Sequence, residues 1–162
     1  MSRFRPNFIR AWSFFSEINV SVKEVGEKIG GHVQINIDSG VFQNACPIRM
    51  SYVLNKCGIL IPNGGKYAVV SGNDKKQYMY RVNDMILYLE DTFGKPDLII
   101  NSPKQTDFND KKGIVVFSGS GWSNAGGHVT LWNGNICSDS CHFMNSENGS
   151  FTPEKGLFWS LT

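Results

Sequence analysis

Among the residues able to carry acid–base or covalent chemistry, Cys46, His128 and Asp139 form a pattern. Cys46 stands where an extended, polar stretch passes into helical spacing. His128 lies in Gly127-His128-Val129-Thr130-Leu131-Trp132, which reads as a strand, and Asp139 follows eleven residues later. A thiol attacks only as its thiolate, and a free pKa of about 8.5 leaves little of that form at neutral pH. A helix N-terminus offers unpaired N–H groups and a partial positive charge, both of which stabilise the anion. A neighbouring imidazole completes an ion pair suited to acyl transfer, and helix-start N–H groups can contribute to an oxyanion hole. The bland alternatives are a small buried hydrophobe at Cys46 and a hydrogen-bonded structural histidine at His128.

The segment after His128 raises the weight of the chemical reading. Asn133-Gly134 is a two-residue hairpin signal, and it predicts a return strand over 135–139. With those two residues at the turn, His128 and Asp139 become direct cross-strand partners. Such partners present their side chains on one face, with Cβ atoms about 5 Å apart. A carboxylate there accepts from the imidazole and fixes its tautomer. The expected roles are Cys46 as nucleophile, His128 as base then acid, and Asp139 as orienter.

Around this trio the signals are weaker. Cys137 and Cys141 bracket Asp139, which suits a short disulfide in an oxidising compartment, a pair of free thiols, or half a metal site. The zinc alternative would draw on His142 with Cys57 or His32, but the spacing matches no familiar zinc pattern; a disulfide is the expectation, and no metal. The glycine-rich loop 119–126 lacks the lysine and spacing of a phosphate-binding loop, and reads as room for a substrate chain. Trp122, Asn124, Gly127 and Tyr52 are candidates to line that cleft. Gln43 and Asn44, just before Cys46, are candidates to lend a side-chain amide to the oxyanion hole.

The elements that must position these groups follow from periodicity and punctuation. Residues 8–16 read as a short helix or extended entry segment. A helix over 22–29, capped by Asn19 or Ser21, ends at Gly30-Gly31. Residues 32–38 alternate and suggest a strand or extended loop. The clearest helix covers 46–57, with Pro47 in its first turn and Gly58 at its end. Residues 64–74 are loop-rich, and a second strong helix spans about 78–92 with Gly94 as its stop. Strands follow at 113–117 and 127–132, with a last one near 156–161. Helices first and an antiparallel sheet afterwards is the α+β arrangement, here in one domain over 1–162.

Composition closes off other classes. Hydrophobic residues make up 41% and aromatics 12% of the 162 residues, enough for a packed core. Lys plus Arg is 16 against 14 Asp plus Glu, a net charge of +2 without a basic stripe, so nucleic acid is not an expected partner. No run approaches the ~20 apolar residues of a membrane span, and the N-terminus has no signal-peptide core. Synthesis in the cytoplasm without a standard export signal is the expectation.

Cys46 before a helix, Gly127-His128-Val129 on a strand and a polar third residue beyond it resemble the NlpC-type papain-like peptidases of the bacterial cell wall. The Arg5-Pro6 to Trp12 region, Ala45-Cys46-Pro47-Ile48-Arg49-Met50-Ser51, Ser120-Gly121-Trp122-Ser123-Asn124-Ala125-Gly126-Gly127-His128 and Cys137-Ser138-Asp139-Ser140-Cys141 are similar to the fourth family of type VI secretion amidase effectors. The resemblance implies a papain-like domain, N-terminal helices packed on an antiparallel sheet, that needs no cofactor. It implies an amidase that cleaves the bond between D-glutamate and meso-diaminopimelate in peptidoglycan stem peptides. It further implies injection by the type VI apparatus into the periplasm of a competing Gram-negative cell, and a cognate immunity protein that blocks the cleft. The competing readings are a thiol acyltransferase of transglutaminase type using the same triad, and a non-catalytic wall-binding module on a degenerate papain fold.

Overall fold

The computed structural model describes residues 4–42, 44–120, 127–141 and 152–162. The first element, α1 (Phe8–Ile18), starts where Asn7 accepts the Arg10 N–H, and it buries Phe8, Ala11, Phe15 and Ile18 along one face. In α2 (Val22–Ile29), Ser21 caps the Glu24 N–H and donates back to the Glu24 carboxylate. Gly30, at φ 70°, closes α2 and α3 (Gly31–Asp38) begins at once. Residues 32–38 are therefore helical, not the expected strand or extended loop. Val33 and Ile37, four apart, are buried while Ile35 is 61% exposed, so the alternation along this stretch was not a sheet signal. The paired glycines redirect the chain and let α3 fold back on α2, with Ile37 in van der Waals reach of Gly26.

The cysteine helix α4 (Cys46–Lys56) is buried along most of its length, with Pro47 in its first turn. Two polar residues inside it tie down its surroundings. Ser51 donates to the Pro47 carbonyl and accepts the Met79 N–H, while Asn55 donates to Gln77 O and accepts the Ile61 N–H. These bonds account for a second difference from expectation. Residues 77–79 form a strand, β2 (Gln77–Met79), paired with β1 (Val69–Ser71), and the next helix α5 starts only at Val82 and runs to Phe93. Gly94, at φ 87°, ends α5 as anticipated.

The main sheet has four antiparallel strands: β3 (Leu98–Asn101), β4 (Gly113–Ser120), β5 (Gly127–Trp132) and β6 (Thr152–Ser160), in the order β3-β6-β4-β5. Successive residues of β4 face opposite sides. Ile114 and Val116 join Val129 and Leu131 against the helices, whereas Val115 and Phe117 pack with Phe108, Trp132 and Phe158 on the other face. At roughly 1.5–3 kcal/mol per fully buried side chain of this size, both layers strongly resist a change of face.

Beyond β5 the expected return strand is reduced to a single bridge between Trp132 and Cys137. Asn133 Oδ1 accepts both the Asn135 and Ile136 N–H groups, at 2.9 and 2.7 Å, and Asn133 N–H donates to Ile136 O. That side-chain turn makes the connection four residues, 133–136, instead of two. Ser138 N–H donates to Leu131 O, which sets Asp139 across from Thr130 rather than His128. The register is displaced by two residues, so Asp139 keeps the predicted face. Among the described residues no helix is long and apolar enough to cross a membrane.

Candidate active site

Two cysteines are free, and they occupy opposite ends of one helix: Cys46 is the first residue of α4 and Cys57 follows its last. The helix dipole separates them, favouring an anion at the N-terminal end and disfavouring one at the other. Burial pushes the Cys57 thiol up, against a smaller opposing influence of Arg10. Cys46 is the one placed for chemistry.

His128 is buried at the start of β5, and α4 packs along that strand. Its Nε2 lies 3.0 Å from Asp139 Oδ2 and 3.1 Å from Oδ1. Cys46, at the start of α4, is near enough to the ring to act on its titration as a hydrogen-bond and charge partner. The three side chains singled out from the sequence thus meet in one cluster, although Asp139 reaches His128 diagonally. Burial works to lower the His128 pKa, but the hydrogen bonds and charges of Asp139 and Cys46 outweigh it and raise it to about 10. Burial likewise works to raise Asp139; the His128 bond and charge, with further donors from Thr130 and Ser140, hold it below the usual carboxylate range.

The segment carrying Asp139 is fastened at several points. Cys137 and Cys141 are joined in a disulfide with Cα atoms 5.5 Å apart, so neither is available to ligate zinc. Asn19, at the end of α1, donates its side-chain N–H to Ser138 O at 3.2 Å. Asp139 Oδ1 accepts from the Thr130 hydroxyl at 2.5 Å and from the Ser140 N–H at 2.6 Å. Thr130, Ser138, Ser140 and Asn19 were not among the expected site residues. Thr130 was recoverable, being two residues from His128 and so on the same strand face. Asn19 was not, because only tertiary packing brings α1 to this loop.

Of the remaining candidates, Asn44 uses its side-chain carbonyl to accept the Cys46 N–H at 3.2 Å, instead of offering an N–H to the site. Gly127 pairs with Ser118, and an added Cβ would collide with the Phe117 carbonyl oxygen; the close approach of β4 is sufficient reason for glycine there. Tyr52 donates to Glu17 on α1, and burial together with this bond raises its phenol to about 12. Gln43, Trp122, Asn124 and His142 lie outside the described residues.

The family model of type VI secretion system amidase effector protein 4 (Tae4) matches residues 42–159. No curated protein matches the chain significantly. Among solved structures, the Tae4–Tai4 effector–immunity complex from Enterobacter cloacae is similar at 58% identity and TM-score 0.95, covering 98% of this chain and 100% of that one. The Salmonella typhimurium effector Tae4, in complex with the immunity protein Tai4 from Enterobacter cloacae, gives 62% identity and TM-score 0.95 with the same coverage. Tae4 from Enterobacter cloacae without a partner gives 58% identity and TM-score 0.94 over 100% of both chains. With the family model spanning well over half the chain, and likeness to effector structures extending back through α1–α3, the protein belongs to the Tae4 family of type VI secretion amidase effectors.

Proposed function

We propose that this protein is a cysteine amidase that hydrolyses the D-glutamyl–meso-diaminopimelate amide of peptidoglycan stem peptides through a thioester. The observation that carries the reading is the buried His128 ring, paired with Asp139 and close enough to the thiol at the start of α4 for that thiol to act on its titration. Cys46 sulfur, its proton passed to His128 Nδ1, attacks the glutamyl carbonyl carbon, forming a C–S bond and moving the carbonyl electrons onto oxygen. The Cys46 N–H receives that oxyanion once Asn44 Oδ1 releases it. Collapse breaks the C–N bond, and the proton on His128 Nδ1 passes to the departing diaminopimelate nitrogen. Water then attacks the thioester while His128 takes its proton, freeing the glutamyl carboxylate and restoring the thiol. Asp139 holds Nε2–H throughout, so that Nδ1 always faces the reaction.

The chain acts as one domain over 1–162, with Trp122, Asn124, Asn44 and Gly127 as its substrate-binding residues. It is made in the cytoplasm, exported by the type VI apparatus and active in the periplasm of the target Gram-negative cell, where an oxidising milieu suits the Cys137–Cys141 bond. Since related effectors crystallise with Tai4 immunity proteins, even across genera, a cognate immunity protein covers this cleft in the producing cell.

Digestion of purified sacculi by the wild type and Cys46→Ala, with mass analysis of the fragments, tests the proposal. The wild type should release fragments bearing a new glutamyl carboxylate and a free diaminopimelate amine, and Cys46→Ala none. Fragments in which the glutamyl group has moved to another amine would indicate an acyltransferase. Full lysis by Cys46→Ala would overturn the cysteine mechanism.

A further inference from the structure

We infer that Thr130 and Ser138 are positioning residues for the Cys46–His128–Asp139 reaction, forming a hydroxyl chain of fixed direction that aims the Asp139 carboxylate at His128. The inference rests on the cysteine-amidase reading above. Thr130 is fully buried on β5, on the face it shares with His128. Its Oγ1 lies 2.5 Å from Asp139 Oδ1 and 2.8 Å from Ser138 Oγ. Ser138 Oγ in turn accepts the Leu131 N–H at 3.2 Å.

The proton directions follow from counting. An ionised carboxylate only accepts, so the Thr130 proton must point at Oδ1. That uses the single proton of Thr130, so the Ser138 hydroxyl donates to Thr130. The Leu131 N–H then fills an acceptor site on Ser138. Every proton in the chain runs toward Asp139, starting from a backbone amide fixed in the β5 strand. Thr130 and Ser140 hold Oδ1, and the carboxylate so fixed faces Nε2 with both oxygens, Oδ2 at 3.0 Å and Oδ1 at 3.1 Å.

Such an anchor is needed because, among the described residues, the Asp139 segment shares one bridge with β5 and meets His128 off the cross-strand axis. Valine would fill the buried position of Thr130 with nearly the same shape, so packing alone does not call for a hydroxyl there. Among the described residues, the charged groups acting on this pair are Asp139 and Cys46 on His128, and His128 on Asp139. Removing the Thr130 donor should therefore raise the Asp139 pKa and loosen its aim, without touching substrate binding.

The test compares wild type, Thr130→Val, Thr130→Ser, Ser138→Ala and Cys46→Ala on a purified stem peptide containing the D-glutamyl–diaminopimelate amide. Readouts are kcat and KM against pH, the pH dependence of Cys46 alkylation by iodoacetamide, and thermal melting. Thr130→Val should lower kcat by about 10- to 100-fold, the range for a hydrogen bond to a charged group, with KM nearly unchanged. Its acid limb should shift to higher pH, and Thr130→Ser should restore both. Wild-type kcat and pH profile in folded Thr130→Val would overturn the inference. If Thr130→Val fails to fold, Ser138→Ala decides: a lowered kcat with a shifted acid limb supports the chain, and a wild-type profile refutes it. Activity retained by Cys46→Ala would instead overturn the underlying cysteine mechanism, whereas an inactive Cys46→Ala beside an unaffected Thr130→Val sinks only the hydroxyl chain.

Discussion

Replacing Asp139 by Asn changes one atom in the site and, on the proposed mechanism, removes the charge that holds the histidine. Oδ1 already accepts from the Thr130 hydroxyl and the Ser140 N–H, at 2.5 and 2.6 Å, so the carbonyl of an asparagine must take that place. Its NH2 then falls at the Oδ2 position, 3.0 Å from His128 Nε2, and the carbonyl at Oδ1, 3.1 Å away, is the acceptor that remains. The ring thus exchanges a charged partner for a neutral one, which weakens its basicity and the hold on its orientation. A hydrogen bond to a charged group is worth about 1.5–3 kcal/mol, or roughly 1–2 pKa units at 1.36 kcal/mol each. The His128 value of about 10 should fall by at least that much, and burial lowers it further. The equivalent substitution in a serine triad costs about 10⁴ in kcat, and a loss of roughly 10³–10⁴ is expected here at pH 7, with the alkaline limb of Cys46 alkylation moved down. Stability follows by linkage. His128 is raised from 6.5, so its contribution is complete below that pH and disappears as pH climbs through about 10. Asp139 is lowered from 3.8, so its contribution is present above that pH and lost as pH falls through its folded value. The melting difference between wild type and Asp139→Asn should therefore be largest between these limits and narrow at either extreme. Fragment release from stem peptide, iodoacetamide kinetics and thermal melts across pH measure all three effects. A variant within about tenfold of wild type, with an unchanged alkylation profile, would refute the assigned role of Asp139.

Two further outcomes are expected. Gly127→Ala forces a Cβ into the Phe117 carbonyl beside His128; overpacking of this kind costs about 1–3 kcal/mol, so both the melting temperature and kcat should fall, measured by calorimetry and peptide cleavage. Reducing the Cys137–Cys141 bond opens a small loop worth about 2 kcal/mol on the chain-entropy model, and should lower kcat by loosening Asp139 while leaving KM nearly intact, as read by kinetics with and without reductant alongside thiol mass labelling.

The helices that bear the site were legible where a local device sets them. Pro47 and Gly58 bound α4, Ser21 caps α2, and Gly94 stops α5. The misread segments depend on partners far along the chain. β2 exists because Ser51 and Asn55, inside α4, bond its Met79 N–H and Gln77 carbonyl. β3, four residues long, was not anticipated, and it is held by pairing with β6 more than fifty residues later in the chain. At α3 the alternation of Val33, Ile35 and Ile37 fits either period, and contact with α2 decides in favour of the helix.

The His128–Asp139 contact forms in a register other than the predicted one, for a reason particular to strands. A turn of two residues at Asn133-Gly134 would pair His128 with Asp139; the Asn133 side chain builds a longer turn and pairs Leu131 with Ser138 instead. Side chains on a strand alternate with period two, so a two-residue displacement moves Asp139 along the edge without turning it to the other face. A displacement of one would have sent the carboxylate to the helix-packed side with Val129 and Leu131. From its diagonal position Asp139 still spans the gap to Nε2, and Thr130 becomes its direct neighbour. The offset that defeats direct cross-strand pairing is thus the same one that brings the Thr130 hydroxyl onto the carboxylate. It follows that lengthening or shortening the 133–136 turn by a single residue should abolish the His128–Asp139 contact, whereas a two-residue change could preserve the face and lose only the Thr130 bond.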